Sequence, residues 1–291
     1  DIMIPKYRKQ FNAEFSPEKY QNILDHLQEE GGIYPQFRVS ESPIFLTTEF
    51  IDKLHGACDS IISQIKEMSP QELDLAIPDD CRVPNDTLQP HFFTIDFGIC
   101  QNEKGEIVPE LIELQSFPTL YCFQKELQNA FVSEYDFLKP LKTPKSDEQY
   151  YQELRDLIVG DENPENVILM EIFPDSQKTN IDFYLTKKRL GIEIVCLTKV
   201  KKEGRKLYYE KDGRKIQIKR IYNRVIFDEI NKIPDLKTEF DFREEADVKW
   251  ITHPNWFFKI SKFILPKLTH EFVPKSYFLY YFPKQENLEA L

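Results

Sequence analysis

The sequence predicts a mixed α/β fold, and three observations support that prediction. Continuous apolar runs at 167–172 and 192–197 are typical of strands buried in a parallel sheet. Apolar residues at helical spacing, both between these runs and within the first 70 residues, predict helices. A period-two pattern at 91–119 predicts a β-hairpin. We therefore expect a parallel-sheet lobe preceded by a helical region that carries the hairpin.

Composition excludes several classes of partner. The chain has 291 residues, of which 41% are hydrophobic, so it can bury a sizeable core. Its net charge of −11 argues against binding to nucleic acid or to an anionic membrane surface. No apolar run approaches the roughly 20 residues that a membrane-spanning helix needs. We expect neither a nucleic-acid nor a membrane partner.

The five cysteines indicate a reducing compartment. Their number is odd and no CxxC spacing occurs, so they are interpreted as free thiols in a cytoplasmic protein. Neither a GxGxxG nor a GxxxxGK[ST] phosphate loop is present, and no serine lies in a GxSxG motif.

The first part of the chain is predicted to be helical. Ser16-Pro17 is typical of a helix start, and Gly31-Gly32 of a helix end. A second helix is expected from Thr48, and the residues at 69–90 are expected to form a long loop. After the hairpin, a helix at 120–131 should lead into a linker at 133–147. Residues 1–147 are therefore predicted to form the first region.

The second region, 148–235, is predicted to be a βαβ unit extended by more strands. A helix from Thr179-Asn180 to Gly191 joins the two apolar strands, and Asp212-Gly213 is a hairpin-turn signal before a last strand at 220–224. Ligands of open α/β sheets bind beyond the carboxyl ends of the strands. Asn180 and Arg224 are therefore expected to lie at one crevice. Residues 236–291 are predicted to be a linker and a helix: the polar segment 231–254 is expected to be a loop, and the helix is expected at 255–268.

The hairpin carries acidic and amide side chains on one face. If Gln101 pairs with Glu106, then Asp96 lies diagonal to Glu113, with Gln115 on the same face. Two carboxylates and an amide oxygen on rigid strands suit Mg²⁺. The alternative is a polar face that is simply solvated.

The segment around this hairpin resembles a known family. The run from Glu113 to Thr119, preceded by the Asp96-Phe97 strand, is similar to the circularly permuted ATP-grasp ligases, among them eukaryotic-type glutathione synthetase and glutathionylspermidine synthase. The resemblance covers about residues 90–270. It implies a Rossmann-like lobe before the ATP-grasp lobe, with Glu113 as a Mg²⁺ ligand and Gln115 where the family usually has asparagine.

The resemblance also implies substrate contacts. Arg224 matches the arginine that pairs with a substrate carboxylate, and Asn180 matches a second binding position. Ser116 and Thr119 would line the carboxylate pocket. Thr94 stands where the family has a substrate-binding arginine, which implies a different substrate or a different binding mode.

A lysine near the end of the resemblance is a candidate for nucleotide contact. The run 261–268, SKFILPKL, is similar to the family helix that presents such a lysine, which makes Lys262, rather than Lys259, the candidate here. The alternative is a solvated helix lysine. A basic segment at 199–206 is interpreted as solvated surface.

The implied function is an ATP- and Mg²⁺-dependent carboxylate–amine ligase that acts through an acyl phosphate. Its partners would be a small-molecule carboxylate and an amine, and a homodimer is compatible with the resemblance. In this family the second ATP-clamping lobe would follow Leu291, so the chain is expected to represent the N-terminal and substrate-binding part. A non-catalytic small-molecule or protein-binding module on the same scaffold is the alternative.

Overall fold

The computed structural model describes residues 4–142 and 144–278, and it has a mixed α/β architecture with one parallel and two antiparallel sheets. The α-helices of the described residues are α1 (Pro5–Glu14), α2 (Pro17–Gly31), α3 (Thr48–Glu67), α4 (Pro70–Asp74), α5 (Tyr121–Glu134), α6 (Asp147–Ile158), α7 (Asn180–Leu190), α8 (Phe227–Asn231) and α9 (Asn255–Lys259). The strands of the described residues are β1 (Thr94–Gln101), β2 (Ile107–Gln115), β3 (Val167–Glu171), β4 (Glu193–Cys196), β5 (Lys201–Glu203), β6 (Lys206–Lys211), β7 (Arg214–Ile218), β8 (Arg220–Asn223) and β9 (Lys249–Ile251).

The central sheet is parallel, in the strand order β4-β3-β8-β9. Every residue of β3 is buried, because apolar layers cover both of its faces. Val167 and Leu169 belong to a core that includes residues of α1, α2 and α5. Ile168 and Met170 belong to a second core with residues of β6 and β7. The predicted buried parallel strand is confirmed.

β3, α7 and β4 form the predicted βαβ unit. Gly191 ends α7 with a φ of 75°, a left-handed conformation that costs glycine little, and its N–H donates to the carbonyl of Lys187 at 2.9 Å. β8 pairs with β3 on the side opposite β4. The carboxyl ends of these three strands therefore lie along one edge of the sheet.

β1 and β2 form the predicted hairpin, but the predicted register is wrong. Gln101 pairs with Ile107 instead of Glu106, and an irregularity between Asp96 and Phe97 adds a further shift. At the open end the shift amounts to two residues, so Asp96 lies directly opposite Glu113. A shift of two residues leaves each side chain on its original face.

The turn of this hairpin explains the shift. The side-chain oxygen of Asn102 accepts hydrogen bonds from the N–H groups of Lys104 and Glu106, at 3.0 and 2.9 Å. The backbone N–H of Asn102 also donates to the carbonyl of Glu106. These bonds hold residues 102–106 as a wider turn, so the ladder begins one residue later than the sequence predicted.

The helix boundaries at the N-terminal end are confirmed. The hydroxyl of Ser16 accepts from the N–H of Lys19 at 3.1 Å and caps α2, which ends at Gly32 with a φ of 72°. The hydroxyl of Thr47 caps α3 by accepting from Phe50 N–H. The Asp212-Gly213 turn between β6 and β7 is confirmed as well, with both residues at positive φ.

Two predicted loops contain regular structure. The segment 69–90 includes α4, whose start is capped by the hydroxyl of Ser69. The polar segment 231–254 includes β9, which pairs with β8 as the fourth parallel strand.

Two other expectations about 133–147 and 255–268 were also wrong. The linker at 133–147 begins with the end of α5 and a 3₁₀ turn at Asp136–Leu141. The helix expected at 255–268 stops after α9 and resumes as a 3₁₀ turn at Lys262–Lys267, since the hydroxyl of Ser261 accepts from Phe263 N–H and starts a new turn.

A third core fixes the hairpin in place. Leu111 and Leu114 of β2 pack in a cluster with Ile61 of α3 and with Trp256 and Ile264. Within the described residues, no helix is both long and apolar enough to cross a bilayer. The region boundaries at 147 and 235 stay predictions, and residues 279–291 of the third region lie outside the described residues.

Candidate ligand-binding site

The carboxyl edge of the parallel sheet gathers polar side chains. Glu171 ends β3, Arg224 directly follows β8, and Asn180 begins α7. The N–H of Arg224 donates to the carbonyl of Met170 at 2.9 Å, which fixes its position beside the end of β3. This is the edge at which open α/β sheets bind ligands.

The guanidinium of Arg224 lies over the rings of two aromatic residues. Its central carbon is 5.0 Å from the ring centroid of Phe117 and 5.7 Å from that of Phe183. Its Nε and Nη1 atoms are buried and have no hydrogen-bond partner among the described residues. Buried charged donors are nearly always paired, so these two atoms indicate a place for an acceptor from a ligand.

Asn180 and Asp182 present buried acceptors near the start of α7. Asn180 is 1% exposed; its amide nitrogen donates to the carbonyl of Asp175, whereas its Oδ1 has no partner among the described residues. Asp182 is fully buried, and its Oδ1 accepts from Phe123 N–H at 2.9 Å while Oδ2 is likewise without a partner. Burial raises the pKa of Asp182 to about 6, against the lowering effect of Arg224.

Glu171 is also buried beside this group. Its Oε1 accepts from the N–H of Ile172 at 2.7 Å. Burial raises the pKa of Glu171 to about 8, although that hydrogen bond and the charge of Arg224 oppose the shift. A carboxyl group with this pKa is mostly protonated at neutral pH and can donate a hydrogen bond.

The hairpin brings its two predicted metal-binding carboxylates together. Asp96 and Glu113 are directly opposite across the ladder, and Gln115 lies on the same face opposite Thr94. The pKa of Asp96 is raised by burial and by the negative charge of Glu113. Oxygen donors of this kind, without an ion pair to a described lysine, arginine or histidine, fit a hard divalent cation.

The hairpin offers few ligands for a metal ion. In the described residues no group of three or more His, Cys, Asp or Glu side chains could hold a metal ion. A cation held by Asp96, Glu113 and Gln115 would take its other ligands from water or phosphate oxygens, as Mg²⁺ commonly does.

The loop after β2 connects the hairpin to Arg224. Gln115 ends β2, and Phe117 carries the ring that faces the guanidinium. Ser116, between them, is fully buried, and its hydroxyl donates to the carbonyl of Trp256 at 2.7 Å. Ser116 therefore anchors this loop through its hydroxyl, and its predicted place in the carboxylate pocket stays a prediction. Thr119 is half-buried in the segment before α5.

Lys262, the lysine predicted to contact the nucleotide, is exposed, whereas the nearby Lys259 is buried. Lys262 is exposed at the first position of its 3₁₀ turn. Lys259 is only 5% exposed, and its ammonium lies 2.7 Å from Asp86 Oδ2 and 3.1 Å from Asp74 Oδ1. The predicted site residues thus form a sheet-edge group and a hairpin group, and Lys262 belongs to neither.

Sequence reasoning missed four residues of the sheet-edge group. Glu171 and Asp182 are acidic residues placed among apolar neighbours, a signal that was present in the sequence. The aromatic residues Phe117 and Phe183 carried no comparable signal, because only the folded structure brings their rings to Arg224.

The fold is similar to that of a solved protein. The apo structure of a glutathione synthetase-like effector from Globodera pallida aligns with this chain at a TM-score of 0.55 and 11% sequence identity. The alignment covers 87% of this chain and 65% of that chain, so this chain spans less than two thirds of the length of the solved protein. No family model and no curated protein matches the sequence. The fold thus resembles that of glutathione synthetase-like proteins.

Proposed function

We propose that this chain carries the carboxylate-binding and magnesium-binding part of an ATP-dependent carboxylate–amine ligase. The observation that supports this function is the guanidinium of Arg224, which has two buried nitrogens without partners among the described residues. Leaving a buried donor unpaired costs about 1–3 kcal/mol, and a carboxylate ligand would remove that cost. The planar fork of arginine suits the two oxygens of a carboxylate.

The neighbouring acceptors suit other parts of the same ligand. Asn180 Oδ1 and Asp182 Oδ2 are buried and without partners among the described residues. They can accept hydrogen bonds from an amine or amide group of a ligand whose carboxylate pairs with Arg224. Phe117 and Phe183 cover the guanidinium and reduce its contact with water, which strengthens the pairing.

The hairpin supplies the metal-binding half. Asp96, Glu113 and Gln115 would hold Mg²⁺ through carboxylate and amide oxygens. Bound there, the ion would offset the negative charge of a phosphoryl group in transfer. Lys262, an exposed cation, would contact a phosphate of ATP as a point charge.

The proposed reaction has two steps. An oxygen of the substrate carboxylate attacks the γ-phosphorus of ATP, ADP leaves, and an acyl phosphate forms. The amine nitrogen then attacks the acyl carbon, phosphate leaves, and the amine loses a proton to give the amide. Arg224 would hold the carboxylate and Asn180 an amine or amide group of the same substrate, which together orient the carboxylate for the first step. The alignment covers only 65% of the solved glutathione synthetase-like chain. The ligase activity of the whole protein is therefore proposed together with the binding sites.

Calorimetric binding of glutathione tests the carboxylate site, with glutathione diethyl ester as the ligand that lacks both carboxylates. We expect Arg224→Met to weaken glutathione binding about ten- to a hundredfold, as for loss of a charge-assisted hydrogen bond. Arg214→Met, which removes an exposed arginine from β7, is the matched control and should bind normally. Equal binding of the diester, or an unchanged affinity in Arg224→Met, would contradict the site.

Release of ADP tests the ligase chemistry. The full-length protein is incubated with ATP, MgCl₂ and glutathione, with either glycine or spermidine as the amine. We expect Mg²⁺-dependent ADP release that Glu113→Ala abolishes and Glu110→Ala preserves, since Glu110 faces Gly98 across the ladder. Equal release by both variants would refute the metal site.

A non-catalytic small-molecule-binding module is the second candidate. One observation favours it: the polar and aromatic groups around Arg224 all lie within the described residues and need no nucleotide to form a site. Glutathione binding that depends on Arg224, without ADP release under any of these conditions, would select the binding module over the ligase.

A further inference from the structure

A cavity of about 460 Å³ lies between α3, the segment 86–90 and α9. None of the residues that surround Arg224 lines it, so it is separate from the sheet-edge group. Its volume is within the range of small-molecule pockets, roughly 300–1,000 Å³. The wall is mainly apolar, and its apolar residues include Ile62, Ile65, Met68, Leu73, Phe93 and Trp256.

The buried polar groups in this wall already have partners. The ammonium of Lys259 is paired with Asp86 and Asp74, and it lies 4.7 Å from the ring centroid of Trp256. The indole N–H of Trp256 donates to the hydroxyl of Thr87 at 2.9 Å and also lies 3.1 Å from its carbonyl. Among the described residues, the lining has no buried side-chain nitrogen or oxygen without a partner. Apart from Lys66 and Gln89, whose side chains are exposed, the wall therefore binds a ligand through apolar contact.

The rim of the cavity carries the charged side chains of Lys66, Asp74 and Asp86, unlike the apolar wall. Lys66, at the end of α3, lines the cavity and forms no ion pair with another described residue. Lys259 forms ion pairs with both Asp74 and Asp86, and Asp74 is also paired with Arg82. The rim therefore offers one unpaired positive charge on a chain whose net charge is −11. Leu88, which is 94% exposed, adds an apolar side chain to the lining.

We propose that this cavity binds a small amphiphile, a molecule with an apolar body and one anionic group. The apolar body occupies the space against Trp256 and the residues of α3, where burial of apolar surface supplies the affinity. The anionic group lies at the rim near Lys66. This site is independent of the ligase proposal, because it shares no lining residue with the group around Arg224.

Anilinonaphthalenesulfonate is the probe for this site, since it has an apolar aromatic body and one sulfonate, and its fluorescence rises in apolar surroundings. We expect saturable binding that Leu88→Glu weakens about tenfold, through lost apolar contact and repulsion of the sulfonate. Leu75→Glu is the matched control, because Leu75 is 74% exposed and lies outside the lining. Equal affinities in the two variants would overturn the proposal.

A second pair of variants tests the charge at the rim. Lys66→Gln should weaken anilinonaphthalenesulfonate binding about two- to fivefold, as expected for a rim ion pair. Lys53→Gln, on the same helix and outside the lining, should have no effect. Laurate should displace the probe better than dodecanol does, and glutathione should not displace it. Displacement by glutathione, or loss of probe binding in Arg224→Met, would place the probe at the sheet edge and overturn this inference.

Discussion

Asp96 and Glu113 face each other directly across the β1–β2 ladder, and burial and the charge of Glu113 raise the pKa of Asp96. Like charges placed directly opposite on a sheet destabilise it. The hairpin therefore carries a repulsion that a divalent cation would relieve, and this repulsion can be measured without any enzyme assay.

Replacing Asp96 by asparagine should stabilise the protein at neutral pH by about 0.2–1 kcal/mol, because it removes one of the two opposed charges. The pKa of Asp96 is raised in the folded state, so its contribution favours folding at acid pH and is lost as the pH rises. The gain from Asp96→Asn should therefore disappear at acid pH. Urea unfolding with and without MgCl₂ checks this prediction. Mg²⁺ should stabilise the native protein but not Asp96→Asn.

The control for this experiment is Glu110→Gln. Glu110 lies on the same strand but faces Gly98, so its removal relieves no cross-strand repulsion. If Mg²⁺ stabilises Asp96→Asn as much as the native protein, the ion does not bind at this hairpin.

Ser116→Ala should lower the free energy of unfolding by about 0.5–1.5 kcal/mol, because it removes a buried hydrogen bond to the carbonyl of Trp256, which keeps its other donor, the N–H of Ile260. Since Ser116 is fully buried, glutathione affinity should stay within about twofold of the native value. Thermal unfolding and calorimetry together check the two outcomes. Ser40→Ala, at an exposed serine, is the matched control, and a specific loss of glutathione binding in Ser116→Ala would support the pocket role that the sequence predicts.

The parts of the fold that local sequence determines were predictable. The caps at Ser16 and Gly191 and the apolar run of β3 are local signals, and the corresponding elements are present. The hairpin register was not predictable, because the side chain of Asn102 fixes the turn and an irregularity follows Asp96. β9 is three residues long and is a strand because it pairs with β8, which no local pattern indicates.

The candidate site likewise has features that the sequence predicts and features that depend on packing between distant segments. The rule that parallel sheets bind ligands at their carboxyl ends places Asn180 and Arg224 at one edge from the sequence alone. Burial of Glu171 and the contact of Phe117 with Arg224 depend on packing between distant segments, which a single sequence does not display. The choice of Lys262 over Lys259 followed the family resemblance alone and gave no indication that Lys259 is the buried lysine.

Lys259→Met should lower the free energy of unfolding by about 2 kcal/mol, below the full cost of breaking a buried ion pair because Asp74 and Asp86 are partly exposed. Burial alone would raise the pKa of Asp86, but hydrogen bonds from Lys259 and Asn255 outweigh it and lower that pKa. A lowered carboxyl pKa contributes stability that is lost as the pH falls, so the difference between Lys259→Met and the native protein should shrink at acid pH. Lys262→Met, at an exposed position, should change stability by less than about 0.5 kcal/mol. Equal effects of the two substitutions in urea unfolding would contradict this assignment.

Glu171 should make the protein less stable as the pH rises through neutrality. Burial raises its pKa from 4.5 to about 8, so the folded state keeps a proton that the unfolded state releases. A raised carboxyl pKa gives stability that is complete below the unfolded pKa and is lost as the pH approaches the folded pKa. The loss should be on the order of 3 kcal/mol between about pH 5 and pH 8.

Glu171→Gln cannot release a proton and should flatten this dependence, most clearly above about pH 6, where the raised pKa of Asp182 no longer contributes. Urea unfolding at a series of pH values measures the slope. Glu210→Gln, at an exposed position on β6, should keep the slope of the native protein. If Glu171→Gln also keeps that slope, Glu171 is ionised in the folded protein and cannot be the hydrogen-bond donor beside Arg224 that its burial implies.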